Sequence, residues 1–357
     1  MVWRKVLTGV LTSVVVALLT VPPAAARESQ KVLATKHKHA PARSGEVLAS
    51  PKKLAVAAKK SSPRYTNVHL DFQDDGERQP GLLQGRISSR SAVVMDAETG
   101  DVLYSHNPDL PGQPASTIKV LTGFIAMKSL PNSELVPASK RAAQMPRSKI
   151  YLKPGKKYVA DDLINAVLMA SANDASVALA EKIAGSERAF AKLMTRKAEA
   201  LGARNTVCKT ANGLTAPGQQ STAYDLAAIF RQAMQDDEFS RRMAFTAVKT
   251  RDGKLLRTHN KALWQIEGAE GGKTGYTHAA RKTYVGKFRR GTHEIIVALM
   301  GSESMWEDIR HLVEFGFRQK AGQELTVAAN GLRYKTGDSL TGHSLPVLED
   351  ASKLSRL

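Results

Sequence analysis

The chain has 357 residues, 42% of them hydrophobic, a single cysteine and a formal net charge of +19. Such a composition supplies a sizeable apolar core and excludes both a wholly disordered chain and a small domain held by disulfides. One thiol, Cys208, cannot form an internal disulfide, and without Cys or His neighbours it reads as a small buried hydrophobe rather than a thiol nucleophile.

The first segment carries Arg4 and Lys5, then an apolar run from Val6 to Val21, then Ala24-Ala25-Ala26. This is the pattern of a secretory signal peptide over residues 1–26. The run approaches membrane-spanning length, so an uncleaved anchor is the alternative; Thr8, Gly9, Thr12 and Ser13 interrupt it and favour cleavage. Either way the remainder is expected to be exported, to a periplasmic or cell-envelope location. Residues 27–87 read as a basic, Ala/Ser/Pro-containing disordered tether. Between 27 and 64, ten Lys/Arg face only Glu28 and Glu46. An anionic envelope surface or acidic wall polymer suits that charge, with a simple solvated linker as the alternative; nucleic acid is not expected for an exported chain. His37 and His39 are flanked by lysines that repel a metal cation.

Regular patterning starts at Ser91. Two short apolar runs, 92–96 and 102–105, flank Glu98-Thr99-Gly100-Asp101 and predict a β-hairpin. Pro111 and Pro114 end it, and apolar residues at 118, 121, 124 and 125 predict a helix opening at Ser116. Asp161-Asp162 opens another helix, expected to end at Ser171. Further helices are expected over 176–184, from Ser186 to Gly202, over 223–235 and over about 305–319. Strands are expected at 271–276, 283–289 and 294–300. Early and late strands would share one antiparallel sheet covered by helices, an α+β fold in α/β/α layers, with the helical middle forming a second lobe and the active site between the two.

Three short motifs carry chemistry. Ser116-Thr117-Ile118-Lys119 places a lysine one helical turn after a serine, within reach of its oxygen. Serine needs a base to become a nucleophile, and lysine serves only if burial and a second cation make it neutral. Lys273 of Lys273-Thr274-Gly275 can be that cation, and Asn173 of Ser171-Ala172-Asn173 can hold Lys119. Ser171 can pass a proton to a leaving amine, and Lys273 with Thr274 can bind a substrate carboxylate. The backbone N–H groups of Ser116 and Tyr276 can form an oxyanion hole, and Gly275 lets a substrate approach the strand. Each motif alone has a bland reading, as helix cap, helix end or turn; their joint order favours the catalytic one.

This set resembles that of penicillin-binding proteins and class A β-lactamases. Within that group, Pro114 to Thr122, Ser171 to Ala175 and Gly272 to Thr277 resemble the D-alanyl-D-alanine carboxypeptidase family, peptidase family S11. Asn212-Gly213-Leu214, Ala216 to Gln219, and Asn260 to Trp264 are similar as well, so the resemblance covers about residues 88–320.

It implies a penicillin-binding protein fold and a serine-type D-Ala-D-Ala carboxypeptidase acting on peptidoglycan stem peptides. Ser116 would be the acyl-enzyme nucleophile, Lys119 the base, and Ser171 and Asn173 the relay and positioning pair. Lys273, Thr274, Gly275 and Tyr276 would bind substrate. β-Lactams would acylate Ser116, and neither a metal nor an organic cofactor is implied. The catalytic domain is expected over 88–320, followed by a short tail over 321–357 with no complete second domain.

Three departures stand out: Arg281-Lys282 where the family carries small residues, Glu303 where many members carry an arginine near the substrate carboxylate, and no evident C-terminal β domain or amphipathic anchor. They keep a D,D-endopeptidase cleaving cross-links as the alternative. A β-lactamase is disfavoured because no Glu-x-x-x-Asn loop follows the second motif: Glu199 falls in a predicted helix and Arg242 follows Glu238. A non-catalytic penicillin-sensing or wall-binding protein is disfavoured by the intact Ser116, Lys119 and Lys273.

Overall fold

A computed structural model describes Leu83 and residues 85–336, with side-chain surroundings through Gln323. The expectations for the signal segment, for the tether up to residue 82 and for the chain beyond 336 lie outside the described residues.

Five strands form one antiparallel sheet: β1 (Ser91–Asp96), β2 (Val102–His106), β7 (Ala269–Thr277), β8 (Arg281–Arg290) and β9 (His293–Ser302). Their order is β2-β1-β9-β8-β7, so early and late strands share the sheet and β7 is an edge. The Asp96 carboxylate accepts the N–H groups of Glu98 and Thr99, fixing the β1–β2 turn. Alternation decides which face each side chain covers. Val93, Met95, Val285, Ile296 and Ala298 point into one core, and Val94, Tyr284, Phe288, Ile295 and Val297 into the other. Both faces of β1 and β9 are thus buried, which is why they read as unbroken apolar runs.

One face packs on the helical lobe. It comprises α1 (Lys119–Ser129), α2 (Lys140–Ala143), α3 (Ala160–Leu168), α4 (Asn173–Ala184), α5 (Glu187–Ala200), α6 (Ala223–Met234) and α7 (Asp237–Met243). Ser186, Thr222 and Asp236 cap α5, α6 and α7 with their side chains. Phe239 lies edge-on to both Phe124 and Phe230, tying α7 to α1 and α6. Two small hairpins complete the lobe: β3 (Leu135–Pro137) with β4 (Lys157–Val159), and β5 (Ala247–Lys249) with β6 (Leu255–Arg257). The other face is covered by α8 (Ala262–Gln265) and by α9 (Met305–Thr336), which contributes Ile309, Leu312, Val313 and Phe315.

Several boundaries differ from expectation. The first turn at Ser116 is a 3₁₀ turn, Ala115–Ile118, and α1 proper starts at Lys119. α4 starts at Asn173 rather than 176, so the Ser171 motif opens a helix instead of closing one. The last helix continues to Thr336 instead of ending near 319, passing through Gly322 without a break. The fold also begins before residue 88: Leu83 is buried, and Ser88 donates to Asp308 of α9. Cys208 is buried and free, and burial pushes its thiol up to about 12.

Candidate active site

Ser116 sits on the 3₁₀ turn that feeds α1. The turn is fixed from both sides: Thr117 Oγ1 and Thr283 Oγ1 both donate to the Pro114 carbonyl, at 2.5 and 2.9 Å. Ala115, at φ +50°, takes a backbone conformation uncommon for a residue with a Cβ. A loop from below presses against it. Gly213 has φ +78°, and a Cβ there would lie 1.9 Å from the Ala115 carbonyl oxygen. Only glycine permits this approach.

Three acceptors surround the fully buried Lys119 amine: Ser116 Oγ at 2.8 Å, Asn173 Oδ1 at 2.8 Å and the Asn212 carbonyl at 2.6 Å. Burial holds its pKa well below the ordinary lysine value, the Lys273 charge adds to this, and Asp174 opposes it. A neutral amine has two N–H donors and one lone pair. With the N–H bonds directed to Asn173 and Asn212, the lone pair faces the Ser116 hydroxyl, the arrangement a general base requires.

The second motif leaves α3 through a tight bend. Ser171 is held at φ +56°, and Asn173 opens α4. Asn173 Nδ2 donates to the Pro146 and Arg147 carbonyls at 3.0 and 3.1 Å, while its Oδ1 accepts from Lys119. The buried Asp174 carboxylate accepts the N–H groups of Ile150 and Leu152. The loop 146–152 is thereby tied to the same motif that touches Lys119. Across the cleft, Lys273 Nζ donates to Ser171 Oγ at 2.9 Å and to the Thr274 carbonyl at 3.0 Å. Burial lowers Lys273 to about 7, so near neutral pH its proton is shared between charged and neutral forms.

β7 forms one wall. Gly275 lies so close to the nucleophile that a Cβ on it would meet the Ser116 nitrogen at 2.8 Å, which brings the backbone of the edge strand alongside the serine. Thr274 and Tyr276 line the cleft of about 550 Å³, with Ser116, Ser171 and Asn173. Thr215 Oγ1 donates to Thr277 Oγ1 at 2.9 Å, joining the Asn212–Thr215 loop to the end of β7. None of the lining side chains is a carboxylate. Desolvation in the cleft, then the charges of Lys273 and Lys119, hold the His259 imidazole below its ordinary range. The Arg281-Lys282 pair divides: Arg281 makes a two-pronged ion pair with Glu303, at 2.8 and 2.6 Å, whereas Lys282 lines the cleft.

All eight residues singled out in the sequence meet at this cleft. Lys119 is hydrogen-bonded to Ser116 and Asn173, and Lys273 to Ser171; Thr274 and Tyr276 line the opening and Gly275 abuts the serine backbone. Sequence reasoning did not assign Asn212, which contributes a backbone carbonyl and so leaves no side-chain signature. Nor did it assign Asp174, although an acid inside the first turn of α4 next to Asn173 was visible. Glu199 lies on α5, and Glu238 is engaged by Arg242 at 2.6 Å.

The family model described as D-alanyl-D-alanine carboxypeptidase matches residues 76–304. D-alanyl-D-alanine carboxypeptidase DacB2 of Mycobacterium tuberculosis is 37% identical over 236 residues, covering 63% of this chain and 81% of that protein. DacF of Bacillus subtilis is 32% identical over 264 residues, 69% of this chain and 66% of the relative. Among solved structures, the D-alanyl-D-alanine carboxypeptidase from M. tuberculosis H37Rv aligns with TM-score 0.62 at 34% identity, covering 65% of this chain and 91% of that one. Penicillin-binding protein D2 from Listeria monocytogenes in its cefotaxime-bound form aligns with TM-score 0.59 at 28% identity, covering 65% and 98%.

Proposed function

The chain belongs to the D-alanyl-D-alanine carboxypeptidase family, peptidase S11, and is a serine peptidase; from that premise we propose that it removes the terminal D-Ala from peptidoglycan stem peptides through an acyl-enzyme on Ser116. The observation that carries the assignment of roles is the buried Lys119 amine, hydrogen-bonded to Ser116 Oγ with its other two partners both acceptors.

In this reading the Ser116 oxygen attacks the carbonyl between the two D-Ala residues while Lys119 takes its proton. Negative charge on the carbonyl oxygen is met by the backbone N–H groups of Ser116 and Tyr276. As the C–N bond breaks, Ser171, bonded to Lys273, gives its hydroxyl proton to the departing D-Ala amine and is reprotonated with the proton that Lys119 took, which leaves Lys119 neutral again. Lys273 and Thr274 hold the terminal carboxylate. Water then attacks the ester, and the proton it loses returns through Lys119 to Ser116. A β-lactam enters by the same first step and remains as an ester. Export through a signal segment over residues 1–26, and a basic tether facing an anionic envelope surface, belong to the same proposal.

The test is mass spectrometry of purified wall fragments after incubation with the protein and with Ser116→Ala. Pentapeptide monomers are expected to lose one D-Ala with the wild type and to stay intact with the variant. Conversion of cross-linked dimers to monomers, with pentapeptides untouched, would replace this reading by the endopeptidase.

A further inference from the structure

The loop between α2 and β4 lies beside the cleft and, with the elements that flank it, is strongly basic. From Leu135 to Ala160 there are seven Lys/Arg and no acid. At its tip Tyr151 is 54% exposed, with φ +61°. A bulky residue in that region is rare, and its cost must be met by neighbouring structure. The neighbours are plain: Ile150 and Leu152 on either side are buried, and their N–H groups are held by Asp174. The fold therefore pins both flanks and turns the tyrosine outward.

Three cations converge on that ring. Lys254 Nζ lies 5.3 Å, Lys149 Nζ 5.5 Å and Arg147 Cζ 6.0 Å from its centre. Lys254 arrives from the β5–β6 hairpin and donates to the Ile150 carbonyl, so two separate chain segments build the cluster. Arg147 and Lys149 form no ion pair with an acid among the described residues. Asp252, on the hairpin, is paired to Lys156 at 3.7 Å and is drawn down by Thr250 first and by Lys156 and Lys254 after it. The tyrosine π-face attracts the cations, but it carries no net charge to offset their mutual repulsion. A bound anion would.

Arg147 and the adjacent Ser148 also line the catalytic cleft, and Asn173 holds the Arg147 carbonyl. The cluster and the nucleophile are therefore parts of one continuous surface. We infer that Tyr151, Arg147, Lys149 and Lys254 form an anion-recognition site beside the cleft, which takes a carboxylate or phosphate oxygen group carried by wall material reaching beyond the scissile D-Ala terminus. This rests on the cell-wall substrate of the proposed function.

Binding to the Ser116→Ala protein, measured by calorimetry, separates the inference from turnover. The probes are two synthetic peptides ending in D-Ala-D-Ala, one without side-chain carboxylates and one extended by carboxylate-bearing stem residues. Lys149→Gln/Lys254→Gln is expected to weaken binding of the carboxylate-bearing peptide by ~10-fold and to leave the other within about twofold. Lys149→Arg/Lys254→Arg, which keeps the charge, should restore it. Soluble polyglycerol phosphate is the second arm: if it binds in a way that depends on Lys149 and Lys254 while the two peptides bind alike, the anion recognised is phosphate. Equal affinity of the wild type and the glutamine variant for all three probes overturns the site. Failure of the wild-type protein to cleave either peptide would count against the carboxypeptidase reading instead.

Discussion

At Lys273 a single buried amine links stability to pH. Burial lowers it to about 7, whereas an unfolded lysine titrates near its ordinary value of about 10.4. Between those values the unfolded chain binds one proton more, so stability rises with pH from about 7 towards 10. Below pH 7 both states hold the proton and the burial penalty is fully in force. Lys119 is displaced in the same direction and adds to the slope. Lys273→Met removes one contributor. The gain in urea-unfolding free energy between pH 7 and pH 9 is expected to be smaller by roughly 1–2 kcal/mol in the variant. An unchanged gain would mean that Lys273 is not held as the structure indicates. The residues themselves were legible in the sequence because a spacing of three places Ser116 and Lys119 on one side of a turn, and because Lys273 precedes Thr274-Gly275 on a strand. The Asn212 carbonyl was not legible, since any residue type can present a backbone oxygen.

At the scale of elements, the position of the nucleophile depends on a loop packed against its turn. Gly213, at φ +78°, meets the Ala115 carbonyl where a Cβ would stand at 1.9 Å and the Ile118 Cγ2 at 2.9 Å. Gly213→Ala must push the 3₁₀ turn away from Lys119. Acylation by a labelled penicillin is expected to fall by roughly 100-fold, because small misplacements of reacting groups are costly. The expected stability loss is about 2 kcal/mol. Acylation at the wild-type rate in the folded variant would show that the turn tolerates the shift. Elements were read well where their pattern was long: β8 and β9 alternate or run apolar over ten residues each, and α5 and α6 carry caps. Three-residue strands such as β3 to β6 are shorter than any periodicity can register. The bend at Ser171 was misread because a left-handed serine, without glycine, gives no signal.

Across the whole molecule, polar clamps hold separate parts of the chain together. Ser88, Ser302 and Asp308 join the entry of the fold, the end of β9 and the start of α9. Arg242, 6% exposed, spans α7, α3 and the stretch after α1. Its guanidinium reaches Glu238 at 2.6 Å, Asp161 at 2.7 Å, Asn165 at 2.7 Å and Asn132 at 3.0 Å. Arg242→Ala strands these partners and is expected to cost about 2–3 kcal/mol, the carboxylates being partly exposed. Arg242→Lys should recover less than half, because a point charge cannot reach four acceptors in a fork. Chemical denaturation of both variants checks this; full rescue by lysine would reduce the clamp to simple charge. The layered arrangement was legible in the order of hairpin, helices, strands and helix. This clamp was not, since it joins residues 110 positions apart through Asn132.

Cys208 gives the molecule a practical property. The residue is 4% exposed and burial pushes its thiol up to about 12, so at neutral pH almost no thiolate meets solvent. To an alkylating reagent the folded chain is effectively blank. A cysteine introduced at an exposed position, such as Trp264 on the far side of the sheet, would carry a fluorophore or spin label at one address, with no background to remove.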